Sequence, residues 1–451
     1  MLRLLYRRLV AFGRERRGNV AITFALAALP LVGTVGAAVD YTQANRIKTV
    51  LQGALDSAAL MLSRDAATLS STDLNSKALS YVQAMLNQPQ AKNIVVNATY
   101  SASGGSKVVV NGSASVSTVF LGVIGLNSVT VTGSSTTAWG TTRLRVALVL
   151  DNTGSMASDG KMTALKSATK DLLTQLKGAA SVDGDVYVSI IPFAKDVNIG
   201  ATNYNANYLD WTDWNSANTT CSGWLWNGNC WGNWVTASHS TWNGCVTDRG
   251  PSNSPGSSTW DQVVTQPDNT ANSKWPTEQA DACPAAMMGL TYNWTNLNSL
   301  VDQMQPSGST NQPIGLVWGW QSLVGGGPMT APAKDSNYTY NDIIILMSDG
   351  LNTKDRWYGD GSNVSTAVDG RMYLSSTGAG TCSNIKSAGV TIYTIQVNTS
   401  GDPTSTLLQN CAGSKTKMSD PSKFFIVTSA SGIGTVFKQI GTGLTQLRVA
   451  K

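Results

Sequence analysis

Asp151 closes the apolar run RVALVLD, and Thr153 and Ser155 follow it at two-residue steps in DNTGSM. A carboxylate and two hydroxyls on one tight loop are hard oxygen donors, suited to Mg²⁺ or another divalent cation. Gly154 permits the turn between them. A second apolar run, NDIIILMSD, ends in Asp349, and Thr310 stands in GSTNQPIGLVWGW just ahead of a helical pattern, beside a second hydroxyl at Ser309. Two carboxylates that meet repel each other unless a cation lies between them. The chemistry expected of Asp151, Thr153, Ser155, Thr310 and Asp349 is therefore metal binding, with a coordination position left for a partner's carboxylate. Catalysis is not expected. The chain has one histidine, His239, which removes the usual triads and His-based metal sites. It has no HExxH and no Walker P-loop.

The elements that must position these residues are legible as alternating strands and helices. RVALVLD (145–151), VYVSIIPF (186–193), NDIIILMSD (341–349), VTIYTIQV (390–397) and KFFIVT (423–428) are apolar runs expected of buried strands. KMTALKSATKDLLTQL (161–176) and residues 430–447 carry helical spacing. Such alternation predicts a doubly wound, mostly parallel α/β sheet, whose ligands sit beyond the carboxyl ends of its strands. Residues 201–305 interrupt the alternation. They hold ten of the 14 tryptophans and four of the six cysteines. We expect a disulfide-stapled insertion there, with tryptophans filling a small core or presenting exposed rings to a sugar or a partner.

The N-terminal third reads differently. Val20–Val39 is apolar or small throughout, long enough as a helix for a hydrocarbon core of about 30 Å. Six arginines within the first 17 residues precede it, against Glu15 alone, and account for the whole net charge of +5. The expectation is a cytoplasmic basic tail (1–18), a transmembrane helix (19–39) and a C-terminal bulk outside the cytoplasm. A neutral body offers nucleic acid no basic surface. Helices are expected over 41–65 and 73–88, then β-rich stretches at 93–100, 107–116 and 127–137, together a small α+β, pilin-like stalk region spanning 40–140.

RRGNVAITFAL, AAVDY and the following ALDSAAL resemble the N-terminal segment of the TadE/TadG-like proteins of the tight-adherence (Flp) pilus system. Gly18 matches the family's leader-cleavage glycine, but Thr23 stands where its processed leaders carry glutamate, so the segment is read as an uncleaved anchor. DNTGSM, the Thr310 loop and SDG resemble the von Willebrand factor A domain and its metal-ion-dependent adhesion site, with Thr153 in place of a serine. That likeness covers the core 141–200 and 306–447 of a domain ending at 447. Together the two resemblances imply a membrane-anchored, non-enzymatic protein of pilus assembly or adhesion in the inner membrane, exposed to the periplasm or cell surface. Its implied partner is a pilin or an assembly protein. The alternatives are a carbohydrate-binding adhesin using the Trp-rich insertion and a structural subunit without bound metal. In such a domain Cys382 and Cys411 lie on successive helices flanking 390–397 and are expected to pair. The other four cysteines allow three connectivities, of which Cys221–Cys230 with Cys245–Cys283 is preferred.

Overall fold

Helix α1 (Asn19–Leu62) runs without a break for 44 residues, with Pro30 inside it. The computed structural model describes residues 19–102, 105–139, 142–250, 273–324 and 329–449. The basic tail and residues 251–272 with Trp260, both given roles above, lie outside them. The first half of α1 exposes Phe24, Leu26, Leu31, Val32 and Val35. Among the described residues no helix is long and apolar enough to cross a membrane, so the structure itself gives the expected transmembrane helix at 19–39 no support.

The second half of α1 is amphipathic. Ile47, Leu51, Leu55, Ala58 and Leu62 recur every three or four residues and are buried. Against them pack α2 (Ser71–Leu86), whose cap Ser70 accepts the N–H of Asp73, and an antiparallel sheet. Its strands are β1 (Ala91–Ser101), β2 (Ser106–Ser117) and β3 (Ser128–Trp139), in that order. These elements belong to a first compact unit, residues 1–139.

The second unit, residues 140–451, is the expected α/β sheet. In chain order its first elements are β4 (Thr142–Asp151), α3 (Lys161–Ala179), β5 (Val186–Phe193) and β6 (Val197–Asn198). Short pieces follow: β7 (Leu209–Asp210), α4 (Thr212–Ala217), β8 (Thr219–Cys221), β9 (Trp234–Thr236), β10 (Cys245–Val246), β11 (Trp275–Pro276) and β12 (Met288–Thr291). Then come α5 (Trp294–Gln303), α6 (Gln312–Val324), β13 (Thr339–Ser348), α7 (Thr366–Met372), α8 (Thr381–Ser387), β14 (Thr391–Val397), α9 (Thr406–Cys411), β15 (Phe424–Val427) and α10 (Ala430–Val449). The sheet order is β10-β6-β5-β4-β13-β14-β15, with β12 also on β5. From β5 to β15 the neighbours are parallel, and β6, β10 and β12 add antiparallel pairs at one side.

β4 is buried on both faces, as a central parallel strand must be. Val146, Leu148 and Leu150 face α3, α5 and α10, while Ala147 and Val149 face the layer of α6, α8 and α9. Helix α6 lies close to the strands because Gly315 and Gly319, one turn apart, turn the same side to them. A Cβ on Gly319 would come within 2.6 Å of Val149 Cγ2, and one on Gly315 within 2.8 Å of the Phe193 ring. Gly319→Val is therefore expected to cost about 1–3 kcal/mol by overpacking. Gly178→Ala, in α3 with nothing within 4 Å of the added carbon, should be neutral to stabilising. Urea midpoints of the two variants check this, and an unchanged midpoint for Gly319→Val would contradict it.

All three expected disulfides are present: Cys221–Cys230, Cys245–Cys283 and Cys382–Cys411. Of the nine tryptophans described in the insertion, Trp211 and Trp294 are half-buried. Trp214, Trp242 and Trp275 are buried, Trp275 with its ring centroid 4.4 Å from that of Trp318. Trp224, Trp226, Trp231 and Trp234 are exposed on the β8–β9 hairpin that Cys221–Cys230 closes, Trp226 fully so.

Candidate metal centre

Asp151 is the last residue of β4, and β13, paired beside it, ends one residue before Asp349. Parallel pairing thus brings both carboxylates to one sheet edge. The loop after Asp151 is knit to the loop before α6: the N–H of Gly154 donates to Gly308 O at 2.9 Å, and that of Ser307 to Asn152 O at 2.8 Å. The loop after Asp349 joins them, since Thr353 N–H donates to Thr310 O at 2.9 Å and Thr353 Oγ1 accepts Thr310 N–H at 2.9 Å. Three loops of distant sequence are so held in mutual register.

Within this frame Asp151, Thr153, Ser155 and Asp349 are joined by a chain of close contacts. Asp151 Oδ1 accepts Thr153 N–H at 2.8 Å. The hydroxyls of Thr153 and Ser155 are 3.0 Å apart, and Ser155 Oγ donates to Asp349 Oδ1 at 2.6 Å. Gly350 leaves room beside them. A Cβ there would stand 3.7 Å from Ser155 Oγ and 3.8 Å from Thr310 Oγ1. Ser309 Oγ instead lies 2.6 Å from the place of a Cβ on Gly361, so of the two neighbouring hydroxyls it is that of Thr310 which borders Gly350.

Asp151 is fully buried. Burial first, and the charge of Asp349 second, push its carboxyl up to about 7. A buried carboxylate left short of positive charge, ringed by hydroxyls and facing a second carboxylate, is the donor set a hard divalent cation fits. Among the described residues no group of three or more His, Cys, Asp or Glu could hold a metal, so any ion here must rely on the hydroxyls.

Two participants were not anticipated. Ser348 Oγ donates to Asp151 Oδ2 at 2.6 Å. It is the serine of SDG, hidden in the sequence as the end of an apolar strand. Lys161 places its ammonium 2.5 Å from Asp349 Oδ2. The only hint of it was a lysine at a helix start, where the dipole disfavours positive charge. The lone histidine is structural: His239 stacks on Trp211 at 3.7 Å and its Nε2 bonds Asn215 Oδ1 at 2.8 Å.

Residues 18–63 match the family model for Flp pilus-assembly TadE/G-like proteins. The N-terminal resemblance is thereby borne out, and one residue of the TadE/G-like segment gains a physical role. Asp40, of AAVDY, accepts the backbone N–H groups of Val119, Phe120 and Leu121 at 3.0, 2.9 and 2.7 Å. These bonds, that from Leu121 foremost, hold its carboxyl below the ordinary range. It fastens the β2–β3 connection to the helix of the TadE/G-like segment. Comparison with curated proteins gives no match. Among solved structures the chain is similar to the vWF domain of the type V pili tip protein Mfa5 from Porphyromonas gingivalis. The identity is 12% over 68% of this chain and 96% of that one, with a TM-score of 0.33. It is also similar to the pilus adhesin SpaC from Lactobacillus rhamnosus GG, 14% identical over 80% of this chain, TM-score 0.34; the match spans 35% of SpaC's length. A third likeness is to proximal thread matrix protein 1 from the mussel byssus with a zinc-occupied MIDAS motif. It is 12% identical over 68% of this chain and 46% of that one, TM-score 0.32.

The insertion reaches the centre through Asp248. Its Oδ2 accepts Asn311 Nδ2 at 2.7 Å, one residue from Thr310, and its Oδ1 meets Arg371 Nη2 at 3.5 Å. Arg371 also pairs with Asp355 at 3.1 Å. Burial, then Asp248, pushes the Asp355 carboxyl up to about 7.

Proposed function

We propose that this protein is an anchored component of Flp pilus assembly or adhesion that binds an acidic group on a protein partner through a divalent cation. The observation that carries the reading is the convergence of two strand-end carboxylates and a chain of hydroxyls at one edge of the sheet, with Ser155 Oγ bonded to Asp349 and in contact with Thr153. Asp151, Thr153, Ser155, Thr310 and Asp349 would hold Mg²⁺ or a similar ion, directly or through water. The bound ion would supply an open coordination position for a carboxylate. On this reading 141–447 is a von Willebrand factor A domain with a MIDAS-type site and an insertion at 201–305. No bond is made or broken.

The TadE/G-like segment supports the pilus assignment. The anchor rests on the apolar stretch Val20–Val39, on arginines confined to one side of it, and on the exposed apolar side chains of α1, which a bilayer would cover. We place the chain in the inner membrane with its bulk in the periplasm or at the surface. The exposed tryptophans favour a second reading, in which the hairpin stacks on carbohydrate. One experiment separates the two: proteins and glycans recovered with the full chain, compared for wild type, Asp151→Ala and Trp226→Ala. Loss of a protein partner in Asp151→Ala and with chelator is expected. A partner retained by Asp151→Ala but lost by Trp226→Ala would leave the carbohydrate reading.

A further inference from the structure

Lys161 stands where a lysine is least welcome. It opens α3, directly after Gly160 in the left-handed region (φ 71°), so its charge opposes the helix dipole. It is also 3% exposed, and lysines are seldom buried unless paired. Its partner is Asp349 Oδ2 at 2.5 Å, while Asp349 Oδ1 takes the hydroxyl of Ser155. Both oxygens of this carboxylate are thus engaged, one of them by a charge. The site holds two carboxylates and one ammonium. A divalent ion arriving with the ammonium in place would leave positive charge in excess, in a setting where unlike and like charges act strongly.

We propose that Lys161 is a tethered counter-cation of this centre. It holds the Asp349 carboxylate while no ion is bound and competes with the ion for it. The inference rests on the metal-binding reading above and adds what sets the affinity. The ammonium keeps the three interlocked loops in place without metal, and it weakens the site, so that occupancy follows the free divalent-cation concentration.

The test is Mg²⁺ titration by calorimetry of the full chain in detergent, as wild type, Lys161→Met and Lys161→Arg, with the unfolding midpoint of each in chelator. Lys161→Met should bind Mg²⁺ at least about tenfold more tightly than wild type, because a like charge is gone. It should also melt earlier than wild type in chelator and recover with Mg²⁺. Lys161→Arg, which keeps the charge, should stay close to wild-type affinity. If wild type and Lys161→Met bind Mg²⁺ equally, the tethered-cation inference fails and the metal centre stands. If neither binds, the metal centre fails with it. A Lys161→Met chain that remains unfolded even in Mg²⁺ also overturns the inference, since the ion would be no substitute for the ammonium.

Discussion

Mg²⁺ is expected to stabilise the 140–451 unit strongly at pH 8 and hardly at all at pH 5, and Asp151→Asn is expected to remove the effect. Asp151 ordinarily ionises near 3.8 and in the fold does so at about 7. Between those values the folded chain holds a proton that the unfolded chain has lost. Asp151's contribution to metal-free stability therefore falls as pH rises from about 4 to about 7 and is flat above that, and Asp355, also raised to about 7, adds its own fall over the same window. At about 1.4 kcal/mol per pH unit, the loss from Asp151 across the window is about 4 kcal/mol. A cation needs the same carboxylate ionised, so below pH 7 protons compete with it and its apparent affinity falls about tenfold per unit. Above pH 7, ion at 100 times its dissociation constant restores about 2.7 kcal/mol. Thirteen of the 14 tryptophans lie beyond residue 139, so fluorescence of the full chain during urea unfolding reports this unit. An equal Mg²⁺ effect at pH 5 and pH 8, or one that survives Asp151→Asn, would remove Asp151 from the centre.

Removal of the Cys382–Cys411 bridge should produce the other large effect. Both sulfurs are fully buried, on α8 and α9, in the core layer that contains Ile392 of β14. The bridge spans 29 residues, so cross-linking restricts the unfolded chain by about 3–4 kcal/mol. The double substitution Cys382→Ala, Cys411→Ala should lower stability by that amount, seen as a fall in the urea midpoint. The Cys221–Cys230 bridge makes a useful contrast. It spans nine residues and closes a hairpin whose tryptophans face solvent. Its removal should loosen the hairpin and leave the midpoint of the main sheet nearly unchanged. Equal losses for the two pairs would contradict this division.

Much of the core was legible because local patterns there agree with the global fold. β4, β5, β13, β14 and α10 were each announced by an apolar run or a helical period, and the observed bounds differ from the expected ones by at most three residues at an end. A central strand must be apolar on both sides, and little else reads that way. The Cys382–Cys411 pair followed from the same layout, whereas the two pairs in the insertion were a preference among three connectivities that only the structure settled. The tryptophans did not sort themselves, since a ring that fills a core and one that faces solvent have the same letter. Only the β8–β9 hairpin and its disulfide decided that Trp226 is exposed while Trp214 and Trp242 are buried.

The candidate centre shows the same divide. Oxygen chemistry at a sheet edge could be argued from Asp151, Thr153, Ser155 and Asp349, because a carboxylate at the end of an apolar strand has a predictable address. The residue types, and the strands whose ends carry the two aspartates, were readable from local pattern alone. Tertiary structure alone set the Thr310 hydroxyl near Gly350, as it does that of Ser155, and the Ser309 hydroxyl near Gly361. It alone brought in Ser348, whose hydroxyl meets Asp151 only because β13 pairs in register beside β4. And it alone revealed Lys161, twelve residues before Leu173 on an ordinary amphipathic helix, as the charge at Asp349. No periodicity marks such a residue: a buried ion pair between positions 161 and 349 is a contact across the fold, and side-chain pattern reports only which way a segment faces.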